Sequence, residues 1–172
     1  MKIFNYKRRW LNERILRQVP PSLKKNLIDN CSLTKRMFNN KSSCIKHISS
    51  KFFLSNKFND LNRKYIYVRT VQLNNSFNEP ILASSFILSA DLKGYINNIK
   101  NLGNKSLATI LYGRQPFSKK VVSYKISGNF VLRRTLYVKK KKRILVEESF
   151  PISNSYPELS LFNCRKNFMN RR

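Results

Sequence analysis

The segment from Val131 to Pro151, VLRRTLYVKKKKRILVEESFP, constrains the fold of this chain more than any other. Its two flanks, Val131–Val138 and Ile144–Phe150, are rich in β-branched and aromatic residues. The basic residues between them, Lys139–Arg143, have no packing demand of their own. Apolar runs of this kind around a polar connection are typical of a β-hairpin. The segment therefore predicts two antiparallel strands.

Two adjacent glutamates near the end of this hairpin point to opposite faces of the predicted sheet. Because side chains alternate along a strand, Glu148 shares a face with Ile144, Val146 and Phe150, whereas Glu147 faces the other way. A carboxylate on an apolar face needs a partner or a proton, and both are common at functional sites. Glu148 is therefore a candidate site residue. The alternative is a strand end where both glutamates are solvated near the lysines.

A second charged residue lies on the apolar face of another predicted strand, Lys64–Leu73. The residues that share this face are Tyr65, Tyr67, Arg69, Val71 and Leu73. One interpretation of Arg69 is an edge arginine that extends its head group to water. The other is a carboxylate-binding group, since a guanidinium stays charged and offers two parallel donors.

The remaining elements complete a single α+β domain with an antiparallel sheet of about six strands and inserted helices. Further strands are predicted at Ser43–Leu54, Pro80–Leu88 and Phe117–Tyr124. Helices or helical turns are predicted at Trp10–Leu16, Ser22–Ile28, Cys31–Phe38, Asp91–Leu102 and Ser106–Tyr112. The predicted organisation is a basic N-terminal extension at 1–18, the domain at 19–151, and a basic, weakly ordered tail at 152–172.

The charge of the chain indicates anionic partners. It has 35 Lys and Arg against 8 Asp and Glu, a formal net charge of +27, and 41% hydrophobic residues, enough for a folded core. Such a charge favours RNA or small anionic substrates. The basic residues are spread along the whole length, however, and Lys, Asn, Ile, Phe and Tyr are encoded by A+T-rich codons. Part of the charge is therefore attributable to genome composition.

The cysteines and the single histidine do not form a metal-binding or catalytic motif. Cys31, Cys44 and Cys164 are far apart, and His47 is the only histidine. We expect no metal, reduced thiols, and no Ser-His-Asp or Cys-His site unless His47 serves it. The N-terminus has no secretory h-region and no apolar run is long enough to span a membrane, so a soluble protein is expected.

Five short motifs, in order, resemble those of the chorismate lyase family, including its cyanobacterial and plastid branch. The resemblance covers about Val19 to Pro151. The motifs are Ser32-Leu33-Thr34-Lys35-Arg36, Val68-Arg69, Leu102-Gly103 with Leu107 and Leu111-Tyr112, Arg133-Arg134-Thr135, and Glu148-Ser149-Phe150-Pro151. Two places depart from the family pattern: Ser106 and Ala108 replace the Pro and Gly of its Pro-Leu-Gly, and Ser84-Ser85 stands where relatives carry an arginine or an acidic residue before serine.

The resemblance implies conversion of chorismate to 4-hydroxybenzoate and pyruvate without metal or organic cofactor. It implies that Arg69 binds a substrate carboxylate and that Glu148 hydrogen-bonds the ring hydroxyl or protonates the leaving enolpyruvyl group. Leu33 and Leu107 would belong to two helical lids. At most one of the oppositely facing Arg133 and Arg134 is expected to support the pocket. The resemblance also implies a monomer in the plastid, organelle-encoded, acting in quinone head-group synthesis.

Two other functions are compatible with the sequence. One is a non-catalytic domain of the same fold that binds a small anion. Effector domains of some regulators resemble this fold, but they follow a DNA-binding helix-turn-helix, for which the stretch before Ser32 is too short. The other is a basic RNA-binding organellar protein, which predicts steeply salt-dependent RNA binding and tolerance of substitutions at Glu148.

Overall fold

The computed structural model describes residues 13–28, 45–55, 64–75, 78–113 and 116–153. Within them lie six strands: β1 (Ile45–Ser55), β2 (Lys64–Asn75), β3 (Asn78–Leu88), β4 (Ser118–Ser127), β5 (Phe130–Lys139) and β6 (Lys142–Pro151). They form one antiparallel sheet in the order β1-β2-β3-β6-β5-β4. Two three-stranded meanders therefore meet where β3 pairs with β6. The predicted α+β class and antiparallel sheet are confirmed.

Short helices accompany the sheet. The α-helices are α1 (Pro21–Ile28) and α2 (Ala108–Leu111), and the 3₁₀ helices are Glu13–Gln18, Ser89–Asp91 and Gly94–Asn101. The single helix predicted at Asp91–Leu102 is wrong in detail. Gly94, the first residue of the Gly94–Asn101 helix, adopts a positive φ of 60°, which a continuous α-helix does not contain, and the asparagines that follow favour turns over a regular α-helix. None of the described helices is long and apolar enough to cross a membrane.

The β5–β6 hairpin has a shorter connection than the sequence predicts. Lys139 pairs with Lys142 and Val138 with Arg143, so the turn consists of Lys140 and Lys141 alone. Lys140 has a φ of 53°, the left-handed conformation that two-residue hairpin turns require to match the twist of their strands. Strand pairing thus continues into the lysine cluster, because backbone hydrogen bonds do not depend on apolar side chains.

One face of the sheet carries two apolar clusters separated by a gap. At one end, α1 and the Glu13–Gln18 helix cover Leu73, Ile81, Val131 and Phe150. At the other end, the Gly94–Asn101 helix and α2 cover Tyr67, Ile87, Ile144 and Val146. The opposite face has a separate cluster of Ile66, Val68, Phe86 and Leu145. The gap between the first two clusters is where a cavity forms.

Part of the predicted N-terminal extension packs against the sheet. Ile15 and Leu16, within the predicted N-terminal extension, are buried in the cluster under α1. The domain boundary at Val19 stays a prediction. Ile15 and Leu16, which precede it, nevertheless belong to the apolar cluster on the sheet. The helical turn predicted at Cys31–Phe38 and the tail after Ser153 lie outside the described residues.

Candidate functional site

A cavity of about 60 Å³ lies between the two clusters on this face of the sheet. Its polar lining consists of Arg69, Ser85, Lys105, Ser106, Tyr112, Tyr137 and Glu148. Its apolar lining consists of Ile45, Val71, Leu73, Ala83, Leu107, Ala108, Leu111 and Val146. A buried water needs roughly 10–15 Å³ on this kind of measure, so the space holds several waters or a small polar fragment.

The strand register places Arg69 and Glu148 on either side of a floor of small residues. Arg69 on β2 pairs with Ser85 on β3, and Ala83 on β3 pairs with Glu148 on β6. The two charged residues are thus separated by two strand spacings, about 10 Å across the sheet, and by two residues, about 7 Å along the strands. Because Ala83 and Ser85 are short, they leave room above β3 between a cation and a carboxylate.

Arg69 is buried and held by a loop. Its exposed fraction is 2%, and its Nη2 donates to the carbonyl oxygens of Gly103 at 2.7 Å and Lys105 at 2.8 Å. Within the described part of the chain, its buried Nε has no hydrogen-bond partner. Burial lowers the pKa of Arg69, and Tyr67 raises it in part. Arg69 lines the cavity, and a fixed guanidinium in that position is suited to bind an anion.

The loop that holds Arg69 has its own anchors. Gly103 has a φ of 49°, a left-handed conformation that glycine adopts without strain. The next residue, Asn104, accepts a hydrogen bond on Oδ1 from the backbone N–H of His47 at 2.9 Å. The carbonyl groups that orient Arg69 are therefore themselves fixed to β1.

Glu148 lies in a buried ion pair. Its Oε2 accepts a hydrogen bond from Arg133 Nε at 2.6 Å. Arg133 Nη1 also donates to the last carbonyl groups of α1, Asn26 O at 3.1 Å and Leu27 O at 3.0 Å. Burial lowers the pKa of Arg133, but the charge and hydrogen bond of Glu148 outweigh this effect and the net shift is upward. A carboxylate on an apolar face needs either a charged partner or a proton, and Glu148 has a partner in Arg133.

The neighbouring pair lies on the other face. Arg134 Nε donates to Glu147 Oε2, also at 2.6 Å. The cavity is lined by Glu148 and not by Glu147. The expectation that at most one of Arg133 and Arg134 supports the pocket agrees with this arrangement, and Arg133 is the one.

Two tyrosines in the cavity wall are not among the predicted site residues. The hydroxyl groups of Tyr112 and Tyr137 are 3.2 Å apart, and their rings meet edge to face with centroids 6.3 Å apart. Burial is the main cause that raises the pKa of both phenols. The period of two along β5 places Tyr137 on the same face as Arg133, a signal that would have found it. Tyr112 belongs to the Leu111-Tyr112 motif of the family resemblance, but no local pattern places it at the cavity, because its position depends on how α2 packs.

Lys119 on β4 is another titratable group whose pKa responds to the Arg133–Glu148 pair. It pairs with Tyr137 across the strands. The pKa of Lys119 is lowered to about 8: burial is the largest cause, Arg133 lowers it as well, and Glu148 offsets part of the shift.

The structure describes one of the two predicted lid residues. Leu107 lines the cavity and precedes α2. Ser106 Oγ accepts a hydrogen bond from Ala108 N at 3.1 Å, and Tyr95 donates to Thr109 O at 2.6 Å. Ser106 thus caps the turn that carries Leu107. Leu33, the other predicted lid residue, lies outside the described residues.

The described residues offer no cluster of metal ligands. No group of three His, Cys, Asp or Glu side chains suited to hold a metal ion occurs among them. His47 lies on β1, and its Nε2 is 2.7 Å from Ser50 Oγ. Cys31, Cys44 and Cys164 lie outside the described residues.

The fold and the cavity define a small α+β domain with a cationic group and a carboxylate facing one pocket. A family model described as chorismate lyase matches residues 5–159. The chain therefore belongs to the chorismate lyase family, whose name implies a lyase with a small-molecule substrate. A search of curated proteins returned no match.

Proposed function

We propose that this protein is a chorismate lyase that eliminates pyruvate from chorismate to give 4-hydroxybenzoate. The observation that carries the proposal is that Arg69 and Glu148 line one cavity, across a floor of short side chains, in a member of the family. A carboxylate-binding group facing a hydroxyl-binding group fits a ring with a carboxylate and a hydroxyl at opposite ends.

The reaction needs no oxidant, reductant or water. The ring carbon that bears the hydroxyl loses its proton, and the electron pair of that C–H bond completes the aromatic ring. The neighbouring carbon–oxygen bond breaks, and its electron pair leaves with the enolpyruvyl oxygen. One proton returns to the methylene carbon, so pyruvate is released. Aromatisation drives the step, and the protein has to bind, orient and manage one proton.

Arg69 is proposed to bind the ring carboxylate. The carbonyl oxygens of Gly103 and Lys105 already orient its Nη2, which leaves the rest of the guanidinium for the ligand. Because the orientation is fixed before the ligand arrives, little side-chain entropy is lost on binding.

Glu148 is proposed to accept a hydrogen bond from the ring hydroxyl. Its Oε2 bonds to Arg133 Nε, so the acceptor role is the one this geometry favours over proton donation to the leaving group. Oε1 is the atom assigned to the substrate. The position of the carboxylate is set by Arg133 and, through Arg133, by the end of α1.

The decisive experiment supplies purified protein with chorismate and measures 4-hydroxybenzoate and pyruvate together. We expect equal amounts of both products from the wild type and at least a hundredfold lower kcat/KM for Arg69→Ala, because a charge-assisted contact is lost. Arg143→Ala is the matched control, since it removes an exposed cation of β6 that does not line the cavity.

The result also separates the alternatives. A folded wild type that binds chorismate without forming product would indicate the non-catalytic anion-binding domain. A protein that binds neither compound, but binds RNA with a steep salt dependence, would indicate the RNA-binding alternative.

Leu107 is proposed to close the cavity as part of a lid, with Leu33 as the second lid residue. Replacing Leu107 with Asp places a charge in the wall and should weaken 4-hydroxybenzoate binding by about tenfold or more, since an unpaired carboxylate is costly in an apolar wall. Equilibrium titration measures this, with Thr109→Asp, on the same turn but exposed, as the control. Unchanged affinity in Leu107→Asp would remove the lid role.

The use of the product and the location of the protein extend the proposal. We propose that 4-hydroxybenzoate serves quinone head-group synthesis and that the protein acts in the plastid. The motif resemblance to the plastid branch and the A+T-type composition support this location. Detection of the protein in isolated plastids tests it, and its presence only in another compartment would contradict it.

A further inference from the structure

Two tyrosine hydroxyl groups meet in the wall of the cavity. Tyr112, which follows α2, and Tyr137 on β5 line the same space as Arg69 and Glu148. Their oxygens are 3.2 Å apart, and their neighbours in the wall include Leu111 and Val146. We propose that this hydroxyl pair is a second anion-binding subsite, which receives the carboxylate of the enolpyruvyl side chain of chorismate. The inference rests on the proposed function.

The pair retains a proton for a ligand. Either hydroxyl can be the donor, and where Tyr112 donates to Tyr137, the Tyr137 hydroxyl keeps its own O–H to donate to a ligand. Burial is the main cause that raises the pKa of both Tyr112 and Tyr137. Both phenols are therefore neutral donors throughout the physiological pH range. A donor that is polarised by accepting a second hydrogen bond is also strengthened.

The substrate class requires such a subsite. Chorismate carries two carboxylates, and the guanidinium of Arg69, with one nitrogen already bound to two carbonyls, accounts for one of them. The second carboxylate needs hydrogen-bond donors of its own once it leaves water. Neutral hydroxyl groups supply them without placing another cation in an apolar wall.

The charge of Glu148 does not exclude an anion here. Glu148 raises the pKa of both phenols more than Arg133 lowers it, but the two effects have opposite signs and Arg133 offsets part of the field. Because Arg133 is bonded to Glu148 at 2.6 Å, the pair repels a nearby carboxylate far less than an isolated glutamate would.

The test compares two ligands that differ in one group. 4-Hydroxybenzoate keeps the ring carboxylate and the hydroxyl but lacks the enolpyruvyl side chain. For wild type, Tyr112→Phe and Tyr137→Phe, the kcat and KM for chorismate and the inhibition constant of 4-hydroxybenzoate are measured. Tyr124→Phe is the matched control, because that buried hydroxyl donates to Leu27 O at 3.1 Å and does not line the cavity.

We expect Tyr112→Phe and Tyr137→Phe to lower kcat/KM for chorismate by about tenfold or more, the usual effect of losing a hydrogen bond to a charged group. Inhibition by 4-hydroxybenzoate should change by less than roughly twofold in the same variants. Equal weakening for both ligands would mean that the pair only supports the cavity wall and would overturn the inference. No change for either ligand would also overturn it.

Failure of the proposed function gives a different result. If the wild type forms no product, equilibrium titration with chorismate replaces the kinetic constants. Chorismate binding that is selectively weakened in the two Phe variants would then refute the lyase activity and support the subsite. A wild type that binds 4-hydroxybenzoate but not chorismate would overturn the subsite as well.

Discussion

Two ion pairs of identical chemistry lie side by side on β5 and β6, one on each face of the sheet. Both join an arginine Nε to a glutamate Oε2 at 2.6 Å. The Glu148 side chain is 10% exposed and the Glu147 side chain 23%. Arg133 also binds the last carbonyl groups of α1. The Arg133–Glu148 pair therefore connects the cavity to α1. The Arg134–Glu147 pair has the same local geometry but lies closer to solvent.

The difference shows that the face of the sheet, more than the pair itself, determines what an Arg–Glu pair contributes. On the cavity face, Arg133 and Glu148 are each nearly inaccessible to water, so each depends on the other for compensation of its charge. On the opposite face, water solvates Glu147 in part. Removal of Arg134 therefore costs less free energy, because water can take its place beside Glu147.

The largest difference is expected for removal of the arginine. Arg133→Met leaves Glu148 without its partner in a buried site and removes the hydrogen bonds from Arg133 to Asn26 O and Leu27 O in the last turn of α1. The free energy of unfolding should fall by about 3–5 kcal/mol. Arg134→Met should cost roughly 1 kcal/mol, because solvent reaches Glu147. Urea denaturation followed by circular dichroism measures both, and equal losses would show that the two faces are equivalent.

The next difference is in catalysis. Glu148→Gln keeps the size of the side chain but removes the charge that the proposed mechanism uses, and we expect turnover of chorismate to fall by about a hundredfold. Glu147→Gln makes the same chemical change on the other face and should alter turnover by less than roughly threefold. Steady-state measurement of pyruvate release decides this. Full activity in Glu148→Gln would remove Glu148 from the mechanism.

The smallest expected difference is a pH dependence at Lys119, whose pKa responds to the cavity-face pair as well as to burial. Burial lowers the pKa of Lys119 to about 8 from an ordinary value of 10.5, and Arg133 and Glu148 also contribute to the shift. Between these two pH values the unfolded chain binds a proton at Lys119 that the folded chain does not. The contribution of Lys119 to the free energy of unfolding therefore rises with pH in this window.

Lys119→Met removes this titration. The variant should be more stable than wild type at pH 7, where the folded protein bears the full cost of a buried charge. Its advantage should decline as the pH rises from about 8 to 10.5. Thermal unfolding of both proteins across this range measures the difference. A difference that is independent of pH would contradict the lowered pKa of Lys119.

The elements that follow local alternation could be predicted from the sequence. The period of two placed Arg69 and Glu148 each on the apolar face of its own strand, and the structure brings both to the same cavity. Their roles in binding and catalysis stay predictions. The β5–β6 hairpin was predicted for the same reason, because strand propensity and side-chain alternation act over a few residues.

Features that depend on distant parts of the chain were not predicted. The hydrogen bonds from Arg133 to Asn26 and Leu27 join residues more than a hundred positions apart in the sequence, and no local sequence pattern predicts them. The pairing of Tyr112 with Tyr137 likewise exists only once α2 packs over β5. Which helix covers which part of a sheet is decided by packing among all the elements, and a single sequence does not display that choice.

The order of the strands has a consequence for the kinetics of folding. Each meander consists of neighbouring hairpins, whereas the β3–β6 pairing closes a long loop, and such non-local contacts form slowly. Arg69 belongs to the first meander and Glu148 to the second, so the cavity exists only after this last pairing has formed. We expect enzyme activity to return later in refolding than the far-ultraviolet signal of the strands. Activity is thus a specific probe of the junction between the two halves of the sheet.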